Sequence, residues 1–253
     1  MIVGVASWRG IGATTTAVAL AASWAARGRR PWLVEADPAG GVLAARFASG
    51  ALVAGTLEQV AFPEARSSAV ERFEQAATHH AGMRIVTAPG DPFRAWACHG
   101  PRVPWAAALR ELDGPVVVDL GRLRGAGPVQ AVLGQLDSLL MLADADVVSV
   151  VSTMAWAEAL GRSAPADPPM LVDRTRIAMV DAPTAHDRIG RTDAVVELGD
   201  RFAGRLPWEP DTVRAMFAGI GLDDRRLRRS SLVPSVHHLA DRLADWSGDE
   251  VAA

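Results

Sequence analysis

The chain has 253 residues, 49% hydrophobic and 22% charged, enough for one α/β domain with a sizeable core. A net charge of −3 excludes a protein that coats nucleic acid through its global charge. Cys98 is the only cysteine, which excludes an internal disulfide and any zinc or iron–sulfur site held by a cysteine cluster.

No run of about 18 uncharged apolar residues predicts a transmembrane segment. Ile2 to Ala6 is expected to be a first strand rather than a leader, and the expected location is the cytoplasm. The strand runs into Ser7-Trp8-Arg9-Gly10-Ile11-Gly12, and residues 14–22 read as a helix. A strand, a glycine turn and a helix N-terminus form a phosphate cradle, because loop N–H groups converge and the helix dipole favours an anion. Thr14 in the first turn can offer its hydroxyl to Mg²⁺. A working loop of this kind needs a lysine just before that threonine to reach the β- and γ-phosphates. That position is Ala13, and the chain contains no lysine at all. Trp8 either plugs the space left by lysine and phosphate, or stacks on a base or in a dimer partner. Arg9 can touch phosphate, but its planar fork does not reproduce a compact ammonium.

Further along, residues 32–34 read as a buried strand that carries Glu35 and Asp37 at its carboxyl end, where open α/β sheets bind ligands. Asp37 could equally cap a helix beginning at Pro38. Residues 67–80 read as one amphipathic helix, with His79 and His80 at its end as dipole partners rather than metal ligands. Residues 83–88 form a strand followed by the loop Pro89-Gly90-Asp91-Pro92. Cys98-His99 lacks a third group and reads as structural. Residues 104–112 are a short helix. Val116-Val117-Val118-Asp119 is a buried strand that delivers a carboxylate, either to a Mg²⁺ water shell or to cap a loop.

Residues 128–143 read as a helix, 145–151 as a strand and 153–160 as the next helix, followed by a loose loop over 161–169. Residues 176–181 are a strand ending in Asp181, and 193–198 a short helix. The element Pro207-Trp208-Glu209-Pro210 precedes a helix over 212–218. Arg225-Arg226-Leu227-Arg228-Arg229 is the one basic run; with Asp223 and Asp224 before it, a solvated surface is favoured over nucleic acid. Residues 235–246 have helical spacing. Their acidic residues have the wrong sign for anionic lipid, so packing against the domain is expected. Alternating strands and helices predict a mostly parallel sheet with helices on both faces.

These pieces, in this order, resemble the MinD/ParA-like P-loop ATPase family, whose loop reads Lys-Gly-Gly-x-Gly-Lys-Thr-Thr. On that pattern Trp8 stands at the first lysine and Arg9 at the first glycine. Gly10, Ile11, Gly12, Thr14 and Thr15 match, and Ala13 replaces the second lysine. Glu35-Ala36-Asp37-Pro38 resembles the family's Asp-x-Asp-Pro, and Asp119 its switch aspartate. Ala145-Asp146 resembles its Ala-Asp strand segment, and Pro207 to Pro210 its Pro-x-x-Pro element near the base. Asp181 departs from the asparagine that reads the base in relatives.

The resemblance covers nearly all of residues 1–253 and implies a single P-loop domain ending in the helix at about 235–246. It implies nucleotide contacts by Trp8, Arg9, Gly10, Ile11, Gly12, Ala13, Thr14, Thr15 and Pro207. It also implies Mg²⁺ at Thr14 and Asp119, and Asp37 as the catalytic group if the chain is active. The implied ligands are ATP or ADP with Mg²⁺, and the implied partners a second copy of the chain and other proteins, with membrane contact only peripheral and through a partner. Both lysine positions are lost, so the resemblance implies a positioning or assembly factor (partitioning, septum placement, or pilus or secretion machinery) with a degenerate loop that binds nucleotide weakly or not at all, acts through dimerisation and partner docking, and leans away from catalysis. Two other readings are an ATPase with a non-standard loop and a nucleic-acid module using Arg225 to Arg229.

Overall fold

The computed structural model describes residues 1–47, 55–63, 67–100, 105–125, 127–163, 171–183, 185 and 187–249. Eight strands form one sheet: β1 Ile2–Ser7, β2 Trp32–Glu35, β3 Thr78–His80, β4 Met83–Val86, β5 Val116–Arg122, β6 Ser138–Asp144, β7 Thr175–Val180 and β8 Phe202–Leu206. Their order is β3-β4-β2-β5-β1-β6-β7-β8. Among these strands the pairings are parallel except the edge pair of β3 with β4.

Both faces of the sheet are covered, so its central strands are apolar on both sides. Ile2, Trp32, Val34, Val116 and Val118 face one core, and Val3, Val5, Leu33 and Val117 the other. The second core is closed by the helices Ala13–Ala26, Pro210–Phe217 and Leu232–Asp249. Asp119 is two residues beyond Val117, so its side chain is on the side of the first helix. Register places Glu35 and Val5 on either side of it.

Three stretches differ from expectation. Residues 128–143 are not one helix. A 3-10 turn Gly127–Val129 and a short helix Gln130–Leu133 lead into β6. Residues 145–151 are not a strand; the helix Val147–Ser163 begins there, with Asp146 Oδ1 accepting the Ser149 N–H at 2.7 Å. The run Leu139-Leu140-Met141-Leu142-Ala143 has good helix formers, but it is the strand between β1 and β7 and buries Leu139, Met141 and Ala143 on one face, Leu140 and Leu142 on the other. The β-branched run after it is helical, with Val147, Val148 and Val151 exposed. Burial overrode intrinsic propensity in both places.

The helix expected over 67–80 stops earlier. It is Ala69–Ala76, closed at its start by a capping box in which Ser68 and Glu71 exchange side-chain and backbone bonds. His79 and His80 are on β3 opposite Arg84 and Met83, and His80 meets the ring of Phe47 edge-on. Among the described residues no group of His, Cys, Asp and Glu side chains is arranged to hold a metal. Asp91 caps the helix Pro92–Ala97 through the Phe93 and Arg94 amides. The expected loop over 161–169 lies largely outside the described residues.

The last helix, Leu232–Asp249, buries Val236, Leu239, Ala240 and Leu243 in the second core. Arg27 pairs with Asp241, and the Ser23 hydroxyl meets His237 Nδ1 at 2.6 Å, tying it to the first helix. No helix among the described residues is long and apolar enough to cross a membrane.

Leu140→Ala should cost about 2–5 kcal/mol, because it opens a cavity in a buried strand. Val148→Ala, on the exposed face of the next helix, should change stability by no more than about 0.5 kcal/mol. Urea unfolding midpoints of the two variants check the boundary between β6 and this helix.

Candidate functional site

The loop between β1 and the first helix turns through Gly10 at φ +81° and Gly12 at φ +90°, conformations that suit glycine. The Ser7 hydroxyl accepts the N–H groups of Gly10 at 3.0 Å and Ile11 at 3.3 Å. Thr16 N–H makes the first helical bond, to the Gly12 carbonyl at 2.9 Å. The N–H groups of Ala13, Thr14 and Thr15 therefore have no acceptor within the helix. The strand, glycine turn and helix start fall where the sequence indicates, with Ser7 as an unexpected internal partner for two of the loop amides.

A cavity of about 480 Å³ opens beside the loop. Gly10, Ile11, Gly12 and Thr15 wall one side, and Val180, Ala182, Leu206, Pro207 and Trp208 the other. A mostly apolar pocket of this size beside a cradle for anions suits a nucleoside. Of the residues expected to touch nucleotide, Gly10, Ile11, Gly12, Thr15 and Pro207 line it. Trp8, Arg9, Ala13 and Thr14 do not line it.

Trp8 is half-buried with its ring beneath the Arg9 guanidinium, 4.8 Å from the ring centroid. Its Nε1 is buried without a partner among the described residues. The Arg9 charge reaches Asp144, whose carboxyl is raised by burial and by Asp146 and drawn back down by Arg9. Arg9 is thus engaged locally, on Trp8 and towards Asp144.

Three carboxylates converge where β2 and β5 end. Glu35 is buried: Oε1 accepts the amides of Val42 at 2.6 Å and Leu43 at 2.9 Å, and Oε2 that of Ala88 at 2.9 Å. Burial still raises its pKa. Glu35 is therefore a scaffold group. Asp37 does not cap a helix, since no helix starts at Pro38; its Oδ1 accepts the Ala39 amide at 2.8 Å within a turn. Burial raises its pKa, opposed by the amides of Ala39 and Arg122 and by the Arg122 charge.

Asp119 is fully buried inside β5, which continues to Arg122. Its Oδ1 accepts the Gly121 amide at 3.0 Å, and its Oδ2 has no partner among the described residues. Burial pushes its carboxyl up to about 7, and the Glu35 charge adds to the rise. The facing Thr14 hydroxyl and the Gly121 amide act in the opposite direction. A buried oxygen without a partner, facing a hydroxyl at a helix start, suits Mg²⁺ held through waters and phosphate, since Mg²⁺ takes few direct protein ligands. Thr14 and Asp119 would hold such an ion, which would supply charge neutralisation to the phosphates.

On the far wall, Asp181 is paired with Arg205 through Nε at 2.7 Å and Nη2 at 2.5 Å. Its carboxylate is committed to that pair. Glu209 Oε2 accepts the hydroxyls of Thr212 at 2.7 Å and Ser230 at 2.5 Å. Oε1 accepts the amide and hydroxyl of Ser231. Burial raises this carboxyl, but those hydroxyls and that amide together bring it down to about 2. The Pro207 to Pro210 element is thereby locked to the start of the last helix.

The remaining motifs stay apart from this site. Cys98 is buried with its thiol pushed to about 11 by burial and by Glu58. Burial lowers His99 to about 4, so the pair is a packed turn without an activated thiol. In the basic run, Asp224 accepts the Arg226 amide and guanidinium, and Leu227 is buried. Arg225, Arg228 and Arg229 are exposed. Sequence reasoning missed Ser7, Arg46, Arg122, Thr16 and Asp144. Only Arg122 had a local signal, as the first charge after Asp119-Leu120-Gly121.

No family model and no curated protein matches the sequence. Solved structures do match its fold. The septum site-determining protein MinD from Pyrococcus horikoshii, complexed with Mg-ADP, has a TM-score of 0.72 at 15% identity, covering 98% of this chain and 97% of that one. A ParA family ATPase from Chlorobium tepidum has a TM-score of 0.71 at 16% identity, covering 94% of this chain and 96% of that one. MinD in the MinC:MinD complex of Aquifex aeolicus reaches 0.66 at 15% identity over 96% of this chain and 95% of that one. The chain has a MinD/ParA-like P-loop fold.

Folding raises the Asp119 pKa from the ordinary 3.8 to about 7, so the folded state holds its proton more tightly than the unfolded chain. The contribution is favourable below pH about 4 and is lost as pH rises through about 7. Asp119→Asn should remove that dependence and gain stability relative to the unsubstituted chain across this window. Thermal melts of both at pH 4 to 8 measure it. Parallel curves would assign the ionised state to native Asp119 throughout.

Proposed function

We propose that this chain is a MinD/ParA-like spatial-positioning or assembly factor that binds ATP or ADP with Mg²⁺ weakly and acts through dimerisation and partner docking. The observation that carries the binding reading is the buried, unpartnered Asp119 Oδ2 facing Thr14, whose neighbour in the chain, Thr15, lines a cavity of about 480 Å³. The neighbour complexed with Mg-ADP and the neighbour solved with MinC support the ligand and the docking mode.

In this reading the free amides of residues 13–15 take phosphate oxygens, and Thr14 and Asp119 hold Mg²⁺. The apolar walls, with Pro207, take the base. Asp181, tied to Arg205, leaves the base to be held by shape and stacking. Hydrolysis is disfavoured. Phosphoryl transfer rests on positioning and charge neutralisation. Each lost clamp costs about 2–4 kcal/mol in the transition state. Ala13 and Trp8 represent two such losses.

The competing reading is an ATPase with a non-standard loop, which Asp37 favours by its place beside Asp119. Titration with MgATP and MgADP by calorimetry and tryptophan fluorescence separates the readings. The expected result is binding that Asp119→Ala abolishes, with no turnover above background. Trp8→Phe assigns the fluorescence change among the eight tryptophans. Hydrolysis lost in Asp37→Ala would establish the ATPase instead, and no binding at millimolar nucleotide would reduce the function to protein docking alone.

A further inference from the structure

The loop has no lysine, yet two guanidinium groups from other elements reach it. The first is Arg122. Val5 pairs with Asp119 but Ser7 with Arg122, so β5 carries one more residue than β1 across this interval. The extra residue is a bulge at Gly121, at φ +56°. A bulge re-aims the side chain that follows it. A larger residue at Gly121 would be strained at this φ, and its Cβ would displace the Asp37 carboxylate. The Arg122 amide is held by Asp37, and its guanidinium crosses Gly10. A Cβ on Gly10 would lie 2.8 Å from Arg122 Nε and closer still to Nη2.

The second is Arg46, at the end of the short helix Leu43–Arg46. Glu35 holds the start of that helix through the Val42 and Leu43 amides. Arg46 Nη1 donates to Thr15 Oγ1 at 2.9 Å, and its Cζ lies 5.1 Å from the centre of the Phe217 ring. Arg46 lines the cavity beside Thr15, whereas Arg122 packs against Gly10 without lining the cavity.

We propose that Arg46 and Arg122 are the phosphate-neutralising cations of this site, reaching it from the short helix that follows β2 and from the end of β5 in place of a lysine at Ala13. The proposal rests on the nucleotide-binding reading above. Guanidinium groups pair bidentately with phosphate and keep their charge at any working pH. Position divides the labour. Arg46, between cavity and loop, serves the phosphate nearest the nucleoside. Arg122, across Gly10, serves the far end of a polyphosphate. The ligand class is therefore a nucleoside di- or triphosphate.

The test is calorimetric titration of the full chain with MgATP, MgADP and AMP. Arg46→Gln should weaken all three by about tenfold, the worth of one charged hydrogen bond. Arg122→Gln should weaken MgATP by a similar factor and leave AMP unchanged. Ala13→Lys in the Arg122→Gln background should restore MgATP binding. Unchanged thermal melts of the variants exclude misfolding as the cause. Tighter MgATP binding by Arg122→Gln would make Arg122 a plug in the loop and overturn the assignment. So would unchanged MgATP binding when Arg46→Gln and Arg122→Gln are combined, which would leave the nucleotide reading standing. No binding of any nucleotide by the unsubstituted chain would overturn both.

Discussion

The ligand-facing edge of this sheet depends on the buried carboxylate of Glu35. It sits at the end of β2, one strand from Asp119, and satisfies three backbone amides from two separate loops. Gly41 packs so close that a Cβ there would lie 2.6 Å from Glu35 Oε2. Charge-assisted bonds to backbone amides are strong, and a buried carboxylate without them would be costly. Through these bonds the turn around Asp37, the segment bearing Arg46 and the end of β4 take fixed positions relative to one another. The acidic residue at this point in the sequence thus works as an architectural part. Its neighbours Asp37 and Asp119 each hold an amide of their own turn, those of Ala39 and Gly121.

Electrostatics around the loop are balanced among groups of modest number. Glu35, Asp37 and Asp119 would repel one another if all were ionised in a dry site. Burial answers part of this by favouring protonated Asp119. The Arg122 charge answers another part by favouring ionised Asp37. A divalent cation would complete the balance in a way that no side chain near Asp119 does. The proposed ligand, Mg²⁺ with a nucleotide, would bring such a charge along with its phosphates.

Much of the fold was legible in the sequence because strand and helix periods were clean where β-branched runs met glycine turns. β1, the loop and the first helix fall where the residues indicate, as does the valine run that ends at Asp119. Legibility failed where composition and environment disagreed. The Leu-Met-Ala run of β6 has helix formers but is buried on both faces, and the valine run after it is capped by Asp146 and turned to solvent. His79 and His80 were taken into the preceding helix because an edge strand of three residues leaves no period to read. Within the site, Thr14 and Asp119 were legible from local pattern. Arg46 and Arg122 were not, because their proximity to the loop comes from strand order: β5 lies beside β1, and β2 beside β5. A single bulge at Gly121 decides where one of them points, and no composition rule foretells it.

The bonds of Glu209 carry a consequence for how the molecule responds to load. One carboxylate fastens the Pro207 to Pro210 wall of the cavity to the first turn of the last helix. That helix in turn lies along the first helix, which starts at the loop. Glu209 is thus the link between the cavity wall and this pair of helices. A pull on the last helix is felt at the cavity wall, and widening the cavity strains the helix by the same free energy, since coupling between two sites is reciprocal.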